Sequence, residues 1–290
     1  MRVTQSMLQN NMLRNIFKSQ AQMDKYLEQI NTGKKIRKPS DDPVIAMKGI
    51  GYRTEVTEVA QYKRNSGEVW NWMDHSDDVL DKATKVMQRL EYLAVQAAND
   101  TYSESERKSI AEEVNQLKEQ MIGLANTKVN GKFIFNGTDT DEKPINDDGT
   151  INYNPDELKN VEIEVSKGIT IQANVAPTKI FNNDLFESIK NFEEALNTGD
   201  NINGSIEELN NNMNNIIDGR AELGARMNRL ELIDDRLEHQ EIIATDIMKK
   251  NEGVDFEEAV MNLLTEEVLH RAALSASAKI IQPSLIDFLR

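Results

Sequence analysis

The sequence contains no cysteine, which excludes disulfide bonds and thiolate metal sites. Aromatic residues make up only 6% of the 290 residues, which is low for a compact enzyme and typical of long helices. No apolar run approaches the roughly 18 residues of a membrane-spanning helix, so we expect a soluble protein without membrane insertion. The opening residues, "MRVTQSMLQNNMLRN", lack the apolar segment of a cleaved signal peptide, so any export would follow another route.

The familiar motifs of catalytic and cofactor sites are also missing. There is no H-E-x-x-H, no G-x-S-x-G and no phosphate-binding loop. The three histidines, His75, His239 and His270, lie far apart in the sequence, and each falls within a helical pattern. The acidic run "TDTDE" around Asp141 resembles a calcium loop only loosely, since the required glycine and closing glutamate are absent. The sequence therefore predicts a non-enzymatic protein without a cofactor or a metal ion.

Charge is distributed unevenly along this acidic chain, whose net charge is −15. Residues 1–64 contain twelve Lys or Arg and six Asp or Glu, whereas residues 254–290 contain three and six. The two ends are therefore electrostatically complementary. A basic start can indicate nucleic-acid binding, but the strongly acidic remainder argues against it, so we expect no nucleic-acid partner.

Apolar residues at three-to-four spacing predict long helices in the N-terminal half. The first covers residues 4–32 and ends at Gly33, a residue type that suits the position just after a helix. A longer helix follows Ser40, and its four-three rule predicts a heptad seam against long partner helices. Ser103 followed by Glu106 predicts a capping box at the start of a third helix.

The C-terminal half repeats this helical pattern. Apolar residues from Leu209 to Met248 lie on one heptad frame that Arg220, Asp234 and Glu241 interrupt, and a final segment continues to Pro283. The two halves together predict a mainly α fold. It is a long coiled-coil-like helical bundle formed by the N- and C-terminal halves, with a small β-rich insert between them.

Only the middle of the chain departs from the helical pattern. Residues 136–183 form an acidic stretch with segments that alternate with period two, which indicates strands. Ser166, Lys167 and Gly168 predict a hairpin turn between two such segments. Because helices with their own heptad seams flank this insert, we expect it to be dispensable for folding of the bundle.

A stop-and-start signal, "IRKPSDDPVIAMK", interrupts the helical pattern near the N-terminus. Pro39 biases the residue before it away from helix and so closes the first helix. Ser40 is a good N-cap residue, and Asp41 and Asp42 then suit the positive end of the next helix dipole. Pro43 is tolerated in the first turn, where no intrahelical N–H is needed. The segment is therefore predicted to be a joint between two helices.

The two ends of the chain resemble the conserved ends of the bacterial flagellin superfamily. The N-terminal motifs are "MRVTQSMLQNNMLRN" and "LEQINTGKKIRKPSDDPVIAMK", and the C-terminal ones are "GARMNRLE" and "ALSASAKIIQPSLIDFLR". They cover roughly the first 60 and the last 70 residues. The "VTQS" start and the "PSLIDFL" end look closest to the hook-associated members, which sit at the junction between hook and filament.

This resemblance implies three domains. Residues 1–42 and 254–290 would form a terminal coiled-coil domain. Residues 43–135 and 184–253 would form a helical bundle domain, and residues 136–183 would be the small acidic insert.

The resemblance also implies that apolar stripes on the terminal segments become buried between subunits. The expected subunit-interface residues are the apolar side chains Leu8, Met12, Leu13, Ile16, Met23, Leu27, Ile30, Val260, Leu264, Val268, Ile280, Leu285, Phe288 and Leu289. The expected domain joint is formed by Pro39, Ser40, Asp41, Asp42 and Pro43.

The function implied by the resemblance is that of a structural adaptor that joins the hook to the filament by subunit assembly. The implied partners are further copies in a ring or helical layer, the first hook-associated protein, flagellin and a flagellar export chaperone. The protein would be exported unfolded, without a cleaved signal peptide, and would lie in the extracellular flagellum. An alternative is a flagellin or flagellin-like minor filament subunit. An enzyme carried on this scaffold would need the H-E-x-x-H motif that is missing, and a helical signalling hairpin would leave the β-rich insert unexplained.

Overall fold

The computed structural model describes residues 5–99, 103–155 and 157–281. It is mainly α-helical, which confirms the predicted fold class. The contacts divide the chain into two units, which we call the terminal unit (the described parts of Met1–Thr57 and Glu241–Arg290) and the central unit (Glu58–Gln240). The boundaries between the units follow Thr57 and Gln240 and do not coincide with the predicted breaks at residues 42 and 253. The division into three domains stays a prediction.

Long helices form most of both units. They are α1 (Gln5–Thr32), α2 (Pro43–Ala97), α3 (Glu104–Ala125), α5 (Asn183–Thr198), α6 (Ile202–Glu252) and α7 (Phe256–Ile281), and α4 (Pro177–Ile180) is a single turn. Gly33 adopts a φ of 67° directly after α1, and its N–H donates to Gln29 O at 2.8 Å, so the predicted helix end is confirmed. Glu106 Oε2 accepts the Ser103 N–H at 2.8 Å, which confirms the capping box of α3. The break predicted at Pro283 lies outside the described residues.

Two antiparallel hairpins account for the strands. In the first, β1 (Lys128–Val129) pairs with β2 (Lys132–Phe133), and in the second, β3 (Glu162–Ser166) pairs with β4 (Ile169–Gln172). The second hairpin confirms the turn predicted at residues 166–168, where Gly168 has a φ of 72°. Its register places Ile163 opposite Ile171.

The insert contributes buried side chains to the core of the central unit, which argues against the expectation that it is dispensable for folding, and that expectation stays a prediction. Phe135 and Phe181, both fully buried, meet edge to face with ring centroids 4.9 Å apart. The side chain of Asn126, just after α3, donates to Ile145 O at 2.8 Å and accepts the Ile145 N–H at 3.1 Å. The described acidic residues of this stretch occupy exposed positions. Apolar residues such as Val165 occupy alternate positions, and their side chains are buried.

Two polar interruptions of the α6 heptad frame, Arg220 and Asp234, have partners on α2. Arg220 donates through Nε to Asp77 and through Nη1 to Asp81, each at 2.7 Å. Trp70 Nε1 donates to Asp234 Oδ2 at 2.6 Å. These contacts join two long helices of the central unit at defined positions and so fix their register.

The segment between α1 and α2 is a capped turn in which Asp42, and not Ser40, is the N-cap. Asp42 Oδ1 accepts the N–H groups of Val44 at 2.9 Å and Ile45 at 3.0 Å. The earlier residues Pro39 to Asp41 are taken up by a separate turn, in which Asp41 N–H donates to Lys38 O at 3.0 Å. Ser40 therefore precedes the helix by too many residues to cap it, and Pro43 is its first residue.

Asp41 closes that turn with its side chain. Its Oδ2 accepts the backbone N–H groups of Lys38 at 2.9 Å and Arg37 at 3.1 Å. These two bonds, the one from Lys38 foremost, lower the pKa of the Asp41 carboxyl. Both flanks of the turn belong to the terminal unit, so its role as a joint between domains stays a prediction.

Candidate assembly surface

In the terminal unit α1 packs against α7 through a seam of small and polar side chains. The buried and half-buried positions of α7 include a heptad series: Ala259, Leu263, Glu266, His270, Ala273 and Ser277. Ser19 Oγ on α1 donates to Glu266 Oε2 at 3.2 Å. Nδ1 of His270 is buried and has no hydrogen-bond partner among the described residues. Most of the large apolar side chains of α7 therefore lie outside this seam.

The predicted interface residues fall into three groups. Met12, Ile16, Met23, Ile30 and Val260 are half-buried, whereas Leu13, Leu27, Leu264 and Val268 are exposed. Leu8 and Ile280 lie on described helices, but their side chains are not described, and Leu285, Phe288 and Leu289 lie outside the described residues. The exposed members are available for contacts beyond this chain, and their role in subunit contacts stays a prediction.

The terminal unit exposes far more large apolar side chains than the sequence predicted. Among the described residues, all such side chains except Tyr92, Val95, Ile217 and Leu232 belong to it. The prediction missed Met7 and Phe17 on α1, Val44, Met47 and Ile50 on α2, Ile242, Ile243 and Ile247 on α6, and Phe256, Met261, Leu269 and Leu274 on α7. Val44, Met47 and Ile50 on α2 are spaced by three, which is a helical signal that a single heptad frame does not include.

The buried residues show the same contrast between the terminal and central units. Within the described part of the terminal unit, the buried hydrophobic residues are Ala244 and Ala259, whereas the central unit has an extended core of large side chains. A helix pair with so little buried apolar area gains little stability by itself. The exposed apolar faces of the terminal unit are therefore candidates for an assembly surface.

A polar cluster around Glu252 stabilises the junction at which α1 and α6 end. The chain segments after α1 and after α6 pair here, since Lys35 N–H donates to Glu252 O at 2.7 Å and Val254 N–H donates to Gly33 O at 3.0 Å. The Glu252 carboxylate is buried and accepts from Arg53 at 2.6 Å. This bond raises the pKa of the Arg53 guanidinium. The cluster is a structural clasp that positions α1 and α7.

The described residues contain neither a membrane-spanning helix nor a metal-binding cluster. No helix in the described ranges has the length and apolar character to cross a bilayer. The same ranges contain no group of three or more His, Asp or Glu that could hold a metal ion.

Two family models match this chain. The bacterial flagellin N-terminal helical region matches residues 3–140, and the bacterial flagellin C-terminal helical region matches residues 205–289. The chain belongs to the bacterial flagellin family. In this flagellin-family protein the two matched regions supply α1, α2, α6 and α7, the helices that carry the candidate assembly surface.

Relatives of this flagellin-family protein extend over almost its whole length. It is 28% identical to the flagellar hook-associated protein 3 of Escherichia coli strain K12, over 95% of this chain and 94% of that protein. It is also 28% identical to the protein of the same name from Salmonella typhimurium, over 96% of this chain and 95% of that one. The crystal structure of Bacillus cereus FlgL is 25% identical, with a TM-score of 0.61 over 69% of this chain and 99% of that chain. The resemblance to the hook-associated members is thereby confirmed.

Proposed function

We propose that this protein is a structural adaptor that joins the flagellar hook to the filament by subunit assembly. The observation that carries the proposal is the concentration of exposed apolar side chains in the terminal unit, which has almost no buried apolar residues of its own. Its near full-length similarity to proteins named flagellar hook-associated protein 3 supports the same role.

Assembly would be driven by burial of the exposed apolar faces of α1, α2, α6 and α7. Complete burial of one Leu, Ile, Phe or Met side chain contributes roughly 1.5–3 kcal/mol. Contacts between different patches of neighbouring copies generate rings or helical layers, and contacts between identical patches close into pairs.

The specific partners belong to the same proposal. They are further copies of this chain in a ring or helical layer, the first hook-associated protein on the hook side and flagellin on the filament side. Before assembly, a flagellar export chaperone would cover the apolar faces. The protein would be exported unfolded and would act in the extracellular flagellum, and the absence of cysteine suits a chain threaded unfolded to the outside.

The second candidate is a flagellin or flagellin-like minor filament subunit. The two matching family models describe flagellin regions, and this is the observation in its favour. The two functions differ in what purified protein does at high concentration. A filament subunit grows into long filaments, whereas an adaptor stops at a short layer.

The test replaces exposed apolar side chains of the terminal unit. The double variant Leu264→Ser, Val268→Ser is produced in cells that lack the native protein, with Leu232→Ser as the control because Leu232 is also exposed but lies in the central unit. Electron microscopy is expected to show hooks without filaments for the double variant, with flagellin released into the medium, and normal filaments for the control. Normal filaments with the double variant, at equal protein levels, would overturn the proposal.

A further inference from the structure

The most exposed and the fully buried methionines among the described residues belong to different units, and five others are half-buried. Met47 and Met261 are 71% and 62% exposed and lie in the terminal unit. Met73, Met87 and Met121 have no exposed surface and lie in the core of the central unit. One chain therefore carries thioether sulfurs that solvent reaches freely beside others that solvent does not reach.

Each exposed methionine lies within an apolar stripe of the candidate assembly surface. Met47 on α2 is three residues from Val44 and three from Ile50, which are 59% and 62% exposed, so the three share one face of the helix. Met261 on α7 is three residues from the exposed Leu264. Met7 is also exposed, but it lies beside residues that the structure does not describe, so the inference is confined to Met47 and Met261.

We propose that Met47 and Met261 are oxidation sites at which a peroxide transfers an oxygen atom to the thioether sulfur. The sulfur lone pair attacks one peroxide oxygen, the O–O bond breaks, and the second oxygen leaves as water after it takes up a proton. The sulfur is oxidised by two electrons and the peroxide is reduced by two, so the products of hydrogen peroxide are one sulfoxide and one water. Enzymatic reduction restores the thioether.

The consequence for assembly rests on the proposed function. A sulfoxide is polar and chiral, and it interrupts an apolar stripe at a position where a neighbouring copy would have to remove it from water. A copy oxidised at Met47 and Met261 is therefore excluded from the assembled layer. Copies already assembled keep both sulfurs covered, so the modification selects against damaged free subunits.

Peptide mapping of the full-length monomer under hydrogen peroxide tests the sites directly. We expect Met47 and Met261 to be oxidised at least about tenfold faster than Met73, Met87 and Met121 in the folded protein, and at similar rates in concentrated urea. Equal rates in the folded protein, or faster oxidation of the buried set, would overturn the proposal whether or not the protein assembles.

Assembly of treated protein tests the consequence. Peroxide-treated native protein is expected to lose assembly on hook tips relative to untreated native protein. Treatment of Met47→Leu, Met261→Leu protein is expected to leave its assembly at the level of its own untreated sample, because leucine carries no sulfur to oxidise. If treated native protein assembles as well as untreated protein, the consequence for assembly is wrong. Failure of the untreated protein to assemble counts against the proposed function alone, because the peptide mapping decides the oxidation sites independently.

Discussion

Gly49 lies so close to the carboxylate of Glu252 that a Cβ at Gly49 would stand 2.8 Å from Glu252 Oε1. The two residues come from opposite ends of the sequence, and the backbone of Gly49 leaves the space in which the buried carboxylate meets Arg53. Gly51, two residues on, has no such neighbour within 4 Å. The "GIG" stretch therefore contains one glycine whose replacement would displace the Glu252 carboxylate and one whose replacement meets no neighbour within 4 Å.

This relationship predicts opposite effects for two alanine substitutions. Gly51→Ala is expected to stabilise α2 by roughly 0.5–1 kcal/mol, because alanine is the better helix former. Gly49→Ala must displace the Glu252 carboxylate and weaken its bond to Arg53. Hydrogen exchange of the Lys35 and Val254 amides, which bond across this clasp, should accelerate several-fold in Gly49→Ala only. Identical exchange in both variants would show that Glu252 can move without cost.

Asp41 should make the turn before α2 sensitive to acid. Its pKa lies below the ordinary value of 3.8, because the backbone N–H groups of Lys38 and Arg37 donate to the ionised form. A lowered pKa in the folded state means that the stabilisation is complete above about pH 4 and is lost as the pH falls through the folded pKa. NMR titration of the Lys38 and Arg37 amides should follow this loss. The Asp41→Asn variant should show no such step, and a step of equal size there would assign it to another group.

The substitution Phe181→Ala measures how much the insert contributes to the stability of the central unit. The ring is fully buried against Phe135, so Phe181→Ala should lower the free energy of unfolding of the central unit by about 3–5 kcal/mol. Leu232→Ala is the control, because that side chain is 71% exposed, and its effect should stay within about 0.5 kcal/mol. Urea denaturation followed by circular dichroism measures both. A small loss for Phe181→Ala would restore the view that the insert is peripheral.

The helices could be predicted because their signals are local. Gly33 after α1 and the capping box at Ser103 act within a few residues, so a single sequence contains all the information they need. The choice of Asp42 over Ser40 as N-cap was not predictable in this way. Both residue types are good caps, and the turn closed by Asp41 decides which of them meets the helix.

Two features could not be predicted from local sequence: which face of α7 packs against α1, and how the insert joins the core. Both depend on contacts between residues that are distant in sequence. A search for apolar stripes selects Leu264 and Val268, yet the face near α1 contains Glu266 and His270, because Ser19 and the small residues of the seam are set by the partner helix. The exposed stripe was recognisable as apolar. Its position outside the seam depends on how α1 packs against α7, and the sequence of either helix alone does not contain that information.

His270 provides the last prediction, because a group buried without a hydrogen bond weakens the seam that contains it. Its Nδ1 is buried and has no partner among the described residues, and such a group costs about 1–3 kcal/mol. Replacing the ring by leucine removes this cost and adds apolar area between α1 and α7. His270→Leu should therefore slow hydrogen exchange of the amides of both helices, while His239→Leu, at an exposed position of α6, should leave them unchanged. Faster exchange in His270→Leu would mean that the imidazole contributes more to the seam through its packing than its orphaned nitrogen costs.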